Sequence, residues 1–304
     1  MDLIQIDKST NQRIDLSSKC GVDLYLKRED LIHQEISGNK YRKLKYNILE
    51  AKYEGLKTLL SFGGAYSNHI AALAKVGKEL GLNTIGVIRG EELESRIYDN
   101  PTLRFASSCD MRFKFITRES YRDKNNEEFI EELKNEFGSF YLIPEGGTNE
   151  LAIKGCEEIL TVQDKSFDFV CCSVGTGGTI SGIINSSLDA QKILGFPALK
   201  GSFLEEEIRK YSSKNNWKLI TDYHFGGYAK INEELIAFIN EFKSEHEIAL
   251  DPVYTGKMMF GIMDLLKKGF FPKGSRVLAI HTGGLQGIAG MNNALMKKQL
   301  PLIK

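Results

Sequence analysis

The sequence predicts an α/β protein whose parallel sheets are covered by helices on both faces. Three observations predict it: short apolar runs recur along most of the chain, segments of helical period lie between them, and several runs end in glycine-rich loops. A strand that returns beside a parallel neighbour needs a crossover long enough for a helix, and such crossovers are right-handed. At 304 residues the chain can bury a sizeable core, either as one large domain or as two smaller lobes, and two lobes are the working expectation.

Eight runs read as buried strands, in order "KTLLSF" (57–62), "NTIGVI" (83–88), "FKFIT" (113–117), "SFYLIP" (139–144), "FDFVCCSV" (167–174), "KILGF" (192–196), "KLITDY" (218–223) and "RVLAIH" (276–281). Between the first two, Ile70, Leu73, Ala74, Gly77 and Leu80 recur at spacings of three and four and make one helical face. "EISGNKYRKLKYNILEA" (35–51) passes from a turn straight into a helical segment, and "RESYRDKNNEEFIEELKNEFG" (118–138) reads as a loop and a solvated helix whose acidic run is its outer face. No internal repeat or low-complexity linker interrupts the alternation.

Composition narrows the function. Lys plus Arg and Asp plus Glu both number 40, so no global field favours nucleic acid, an anionic membrane or a charged polymer, and a small molecule is the expected partner. The start lacks a signal-peptide pattern and no apolar run is long enough to span a bilayer, which leads to the expectation of a cytoplasmic protein. The five cysteines, Cys20, Cys109, Cys156, Cys171 and Cys172, show no CxxC spacing, and the adjacent pair Cys171–Cys172 reads as small core filler on opposite faces of a strand. The five histidines form no metal-ligand pair, so no metal is expected.

In such folds ligands sit where strands run into helix N-termini. Three loops there are unusual. "GTGGT" (175–179) combines glycines, which let the backbone approach an anion, with hydroxyls and a helix start, so it suits a phosphate or simply a tight turn. It lacks the GxGxxG and downstream acid of a dinucleotide site, and neither Gly77-Lys78-Glu79 nor Gly256-Lys257-Met258 completes a nucleotide P-loop, which leaves something smaller than a nucleotide. "AYSNH" (65–69) offers a hydroxyl, an amide and an imidazole at a helix start, fit to grip a carboxylate, although capping by Ser67 or Asn68 accounts for the same residues. "IHTGGLQGIAG" (280–290) is the third; the tyrosines of "DPVYTGKMM" (251–259) and "HFGGYAK" (224–230) are ordinary packed aromatics when read alone.

Taken together, "YLKREDLIHQEISGNKYRKL", "SFGGAYSNHIAALA", "SVGTGGTISGI", "LDPVYTGKMMFGIMDLL" and "AIHTGGLQGI" resemble, in order and over nearly the whole chain, the pyridoxal-phosphate enzymes of the ACC deaminase and D-cysteine desulfhydrase family. The resemblance implies the tryptophan-synthase-β type of fold, with two open twisted, mainly parallel sheets. A larger cofactor domain (1–43 and 147–304) and a smaller inserted domain (44–146) would meet at pyridoxal 5'-phosphate, and a homodimer is expected. By its place in the GNK motif, Lys40 would be the Schiff-base lysine, a role that needs an amine of lowered pKa. Gly175, Thr176, Gly177, Gly178 and Thr179 would cradle the cofactor phosphate, and Asn68 would lie near the ring oxygen. Ser67, Asn68 and His69 would bind the substrate carboxylate, with Ser67 also a proton-transfer group, and Tyr228 and Tyr254 would be the active-site tyrosines. Tyr66 stands where the family commonly has glutamine.

Two reactions compete under this resemblance: elimination of sulfide from D-cysteine, and ring opening of 1-aminocyclopropane-1-carboxylate (ACC). The deaminases resemble one another in having Glu after the tyrosine of "DPVY" and Leu after the histidine of the last strand, where this sequence has Thr255 and Thr282. A hydroxyl facing the pyridine nitrogen makes the ring a weaker electron sink than a carboxylate would, enough for a good leaving group such as sulfide. The expectation is therefore D-cysteine elimination to pyruvate, sulfide and ammonia, with ACC deamination to 2-oxobutyrate as the alternative. A protein that binds pyridoxal phosphate without turnover is a third reading.

Overall fold

The computed structural model describes residues 5–16, 21–36 and 38–304, so Cys20 lies outside the described residues. Among the described residues, ten strands form two sheets. They are β1 (Asn11–Ile14), β2 (Asp23–Lys27), β3 (Thr58–Gly64), β4 (Asn83–Arg89), β5 (Arg112–Ile116), β6 (Tyr141–Ile143), β7 (Phe169–Val174), β8 (Lys192–Pro197), β9 (Trp217–Leu219) and β10 (Arg276–Ile280). The larger sheet has the order β1-β2-β10-β7-β8-β9 and is parallel except for the edge pair β1–β2; the smaller, β5-β4-β3-β6, is parallel throughout.

The α-helices of the described residues connect and cover the strands: α1 (Gly38–Tyr53), α2 (Asn68–Leu80), α3 (Pro101–Ser108), α4 (Glu127–Phe137), α5 (Glu150–Glu157), α6 (Gly178–Ser186), α7 (Phe203–Arg209), α8 (Glu233–His246), α9 (Thr255–Lys267) and α10 (Gly287–Lys297). The expected face of α2 is buried, with Ile70, Leu73, Ala74 and Gly77 inaccessible and Leu80 partly so. On α4 the glutamates face solvent while Leu133 packs inward.

Each sheet is wrapped in its own apolar packing. Strand β7 is buried along its whole length. Cys171 and Cys172 fall in different clusters on its two faces, as small core residues do, and burial pushes their thiols well up, that of Cys172 to about 12. Among the described residues no helix is long and apolar enough to cross a membrane, and no group of acids, histidines or cysteines could hold a metal.

The structure departs from the sequence reading in two places. The antiparallel pair β1–β2 was not foreseen: "NQRI" and "DLYLK" are short and mixed in polarity, and β2 is held by its pairing with β10 as much as by its own pattern. "KLITDY" yields only the three residues of β9 before the chain turns into a 3-10 turn at Thr221–Tyr223. An edge strand has a partner on one side only, so a run of apolar residues there need not all join the ladder.

Candidate active site

Local packing fixes where α1 begins. A Cβ at Gly38 would lie 2.1 Å from the carbonyl oxygen of Glu29, so only glycine lets the helix start beside that turn. Arg42 then forms a buried bidentate pair with Glu29, Nε to Oε2 and Nη2 to Oε1 both at 2.9 Å. On the other side, a Cβ at Gly155 would lie 1.9 Å from the Arg42 carbonyl oxygen, which is how closely α5 approaches α1. Held this way, α1 presents Lys40 and Lys43, three residues apart and therefore on one face, to the same cavity.

Both amines are buried in a manner that disfavours their charge. Burial lowers the pKa of Lys40, against smaller upward pulls from Cys156, Cys172 and Asp251. Lys43 is lowered to about 7 by burial and by the neighbouring Lys40. Neither pairs with a carboxylate among the described residues; Lys43 Nζ instead donates to Gly146 O (2.9 Å), Thr148 Oγ1 (2.8 Å) and Thr176 Oγ1 (3.3 Å).

Facing Lys43 is the turn from β7 into α6. Gly177 has φ +86°, in the left-handed region that glycine adopts without strain. A Cβ at Gly178 would come within 3.0 Å of Lys43 Nζ and 2.9 Å of Thr148 Oγ1. The loop is thus stripped of side chains where the N-terminus of α6 meets an ammonium, the arrangement that binds a phosphate. Thr179 completes it, its hydroxyl accepting from Asn39 Nδ2 at 3.0 Å.

The opposite wall is the turn from β3 into α2. A Cβ at Gly63 would strike Ile70 at 2.5 Å and Ser67 at 2.9 Å, so this turn also depends on glycine. Ser67 caps α2 by accepting from Ile70 N (3.3 Å) and at the same time lines the cavity. Asn68 is oriented by Gln286, whose Nε2 donates to its Oδ1 at 3.0 Å. His69 is buried, with Nε2 2.9 Å from Ser61 Oγ and Nδ1 left without a hydrogen-bond partner. Burial, then Lys40 and Lys43, hold its pKa well below the usual value, so the imidazole is neutral.

Two tyrosines close the cavity, their ring centroids 6.3 Å apart at 67°. Burial raises the pKa of both, and Tyr254 remains a neutral hydrogen-bonding phenol. Tyr228 sits in a loop where Phe225, Gly226, Gly227 and Ala229 all have positive φ. Lys257 pins that loop from below, its buried Nζ donating to His224 O (2.9 Å) and Gly227 O (2.8 Å).

Of the residues singled out in the sequence, Lys40, Ser67, Asn68, His69, Gly175, Thr176, Gly177, Thr179, Tyr228, Tyr254 and Thr282 line one cavity. Gly178 stands directly behind it, against Lys43. Thr255 does not reach it: the residue is fully buried, its hydroxyl accepts from Asp251 N (2.9 Å) and donates to Asp251 Oδ2 (2.7 Å). Asp251 in turn accepts from the backbone N–H groups of Val253, Tyr254 and Thr255, all within 2.9 Å, and so caps α9. Lys43, Asn39, Thr148, Gln286, Asp251 and Lys257 were missed. Only Lys43 carried a signal, its position one helical turn after Lys40.

A small anionic aldehyde fits these features: a glycine-lined helix N-terminus beside a buried lysine amine for the phosphate, and a second buried amine for the aldehyde carbon. Comparison with known proteins agrees. The family profile described as "Pyridoxal-phosphate dependent enzyme" matches residues 12–283. A putative 1-aminocyclopropane-1-carboxylate deaminase of Pyrococcus abyssi is 35% identical, over 90% of this chain and 88% of its own. The bifunctional D-cysteine desulfhydrase/1-aminocyclopropane-1-carboxylate deaminase, mitochondrial, of Arabidopsis thaliana is 30% identical, over 88% and 74% respectively. A crystal structure of an ACC deaminase homologue superposes with a TM-score of 0.80 at 29% identity, covering 95% of this chain and 93% of that one. The chain therefore belongs to the pyridoxal-phosphate-dependent enzymes, in the family of ACC deaminases and D-cysteine desulfhydrases, and pyridoxal phosphate is its cofactor.

Proposed function

We propose that this enzyme is a lyase that eliminates sulfide from D-cysteine, giving pyruvate, sulfide and ammonia. The observation that carries this reading is that no acidic side chain among the described residues lines the inner cavity. Thr282 stands at its wall, where the deaminases of the resemblance have leucine, and would set a hydroxyl, not a carboxylate, toward the pyridine nitrogen; Asp251 is spent on α9 and Thr255. Bound pyridoxal phosphate supplies an electron sink for charge developing at the substrate α-carbon, and without a carboxylate that sink is weak. A weak sink suits departure of a good leaving group from the β-carbon better than cleavage of a carbon–carbon bond.

The residues divide the work. Lys40 would hold the cofactor and, once released by the substrate amine, act as general base for the α-proton; burial keeps a larger fraction of it neutral for both tasks. Lys43, Thr176 and the start of α6 would hold the phosphate. Ser67, whose oxygen already accepts from Ile70 N, keeps its proton for the substrate carboxylate, with Asn68 beside it. Tyr254 and Tyr228, both neutral, would pack on the ring and donate protons near the leaving group. The same reading assigns residues 1–43 and 147–304 to a cofactor domain and 44–146 to a smaller one.

ACC deamination is the second reading, favoured by the names that several relatives carry. The test is oxo-acid and sulfide release by the purified, cofactor-loaded protein given D-cysteine, L-cysteine and ACC in parallel. Pyruvate with sulfide from D-cysteine alone is the expected result; 2-oxobutyrate from ACC would replace the desulfhydrase reading with the deaminase one.

A further inference from the structure

Beyond the inner cavity the cleft continues outward into a wider vestibule that shares Ser67, Gly146, Gly175, Thr176, Tyr228 and Tyr254 with it. Neither D-cysteine nor ACC is large enough to need that space. We infer that the vestibule receives the far end of a longer substrate side chain, that this end is anionic, and that Arg89 recognises it. The inference rests on the lyase reading for the identity of the reacting end.

The charged groups around the vestibule are Arg89, at the end of β4, Arg118, just after β5, and Glu145, just after β6, all in the smaller sheet. Two of them are already satisfied. Arg118 Nη2 pairs with Glu92 Oε1 at 2.7 Å. Glu145 accepts from the Tyr121 hydroxyl at 2.8 Å and pairs through its other oxygen with Lys124 at 3.3 Å. Arg89 forms no ion pair among the described residues; its guanidinium lies 5.6 Å from the centre of the Tyr121 ring, and that ring is fixed by the bond to Glu145. The stacked guanidinium is thereby oriented with its donors free, and a guanidinium is the side chain best shaped to bind a carboxylate, sulfonate or phosphate in two places at once.

Its placement relative to the reacting centre is set by the sheet. Arg89 pairs in register with Gly64. A Cβ on Gly64 would sit 3.8 Å from Arg89 Nη2, so the guanidinium lies over the strand end that leads directly into the Ser67 loop. Its field reaches the Tyr228 phenol, pulling that pKa down against burial. Leu93, Tyr66 and Leu199 add apolar surface to the same vestibule. A vestibule that combines apolar walls with a guanidinium outside any ion pair among the described residues selects an amino acid whose side chain has an apolar stem and an anionic tip.

The test compares two compounds that differ only in that tip, S-carboxymethylcysteine and its neutral amide S-carbamoylmethylcysteine, each as both enantiomers, with pyruvate release by the cofactor-loaded enzyme as readout. The proposal expects kcat/KM to favour the acid by about tenfold or more, chiefly through KM, as a charge-assisted contact would give. In Arg89→Ala that ratio should fall towards one, and Arg89→Lys should restore part of it. A second readout needs no turnover: calorimetric binding of adipate and of its half-amide, neither of which has an amine to react, with adipate expected to bind more tightly in the wild type and not in Arg89→Ala. Equal treatment of acid and amide in both readouts would overturn the anion site while leaving the lyase reading intact. Preference for adipate without pyruvate from any amino acid would uphold Arg89 and sink the lyase reading instead.

Discussion

At Lys43 an ammonium is buried against Gly146, Thr148 and Thr176 with its pKa lowered to about 7, and that has a measurable consequence for anion binding. At pH 8 the empty site holds Lys43 mostly neutral, whereas a phosphate beside it stabilises the charged form and raises its pKa. Binding of inorganic phosphate to the cofactor-free protein at pH 8 should therefore take up protons, seen as a dependence of the calorimetric heat on buffer ionisation enthalpy, and Lys43→Met should abolish the uptake. The linked stability effect has the opposite sign: a lysine depressed on folding costs stability while the unfolded chain still binds the extra proton. The cofactor-free protein should thus gain stability as pH rises from about 7 towards the ordinary lysine range, provided no anion is present. The place of Lys40 in the cavity was legible in the sequence because it directly follows Gly38-Asn39 at the start of a helical segment and the flanking motifs agree. Lys43 was missed although it lies one helical turn after Lys40, because in "KYRKLK" that spacing alone does not separate a buried lysine from a solvated one; packing against the 146–148 and 175–179 turns does. Thr255 shows the reverse error, since its position in a motif suggested a cavity residue and its hydroxyl is instead consumed by Asp251.

At the scale of elements, the site depends on how closely backbones approach. Gly155→Ala would force α5 away from the Arg42 carbonyl and shift the helix that carries both lysines. Overpacking of that kind should cost about 1–3 kcal/mol of stability, read from denaturant unfolding, and should weaken cofactor binding as well. The loop bearing Tyr228 is strained at Phe225 and Ala229, which adopt positive φ without being glycine, and it holds that shape because Lys257 bonds two of its carbonyls. Lys257→Met leaves those carbonyls without their donor. Amide exchange across residues 225–230 should accelerate, and stability should fall by about 1–3 kcal/mol; protection equal to that of the wild type would show that the loop keeps its shape without the lysine. The loop's aromatic was visible in "HFGGYAK" as a glycine-flanked residue, but its support was not, because Lys257 lies 30 positions away from Gly227 in the chain. The β1–β2 pair escaped notice for a similar reason: its stability comes from pairing with β10 at the far end of the sequence.

Across the whole molecule, two mainly parallel sheets place the carboxyl ends of β3, β7 and β10 around one cavity, so the site is assembled from segments spread over most of the chain. Strand-helix alternation made the class of fold readable, and the glycine-rich turns marked where ligands would sit. The partition into two sheets was not readable from alternation, because each strand looks alike until its partner is known. A cofactor that bridges these turns should stabilise the fold by mass action, about 2.7 kcal/mol at a hundredfold excess over its Kd, measured as a rise in Tm when pyridoxal phosphate is added to the cofactor-free protein. The central claim, that Lys40 and not its buried neighbour Lys43 carries the cofactor, is tested most directly by borohydride reduction of the cofactor-loaded protein followed by peptide mass spectrometry. The account predicts a phosphopyridoxyl mass on Lys40 alone; the label on Lys43, or on neither lysine, would contradict it.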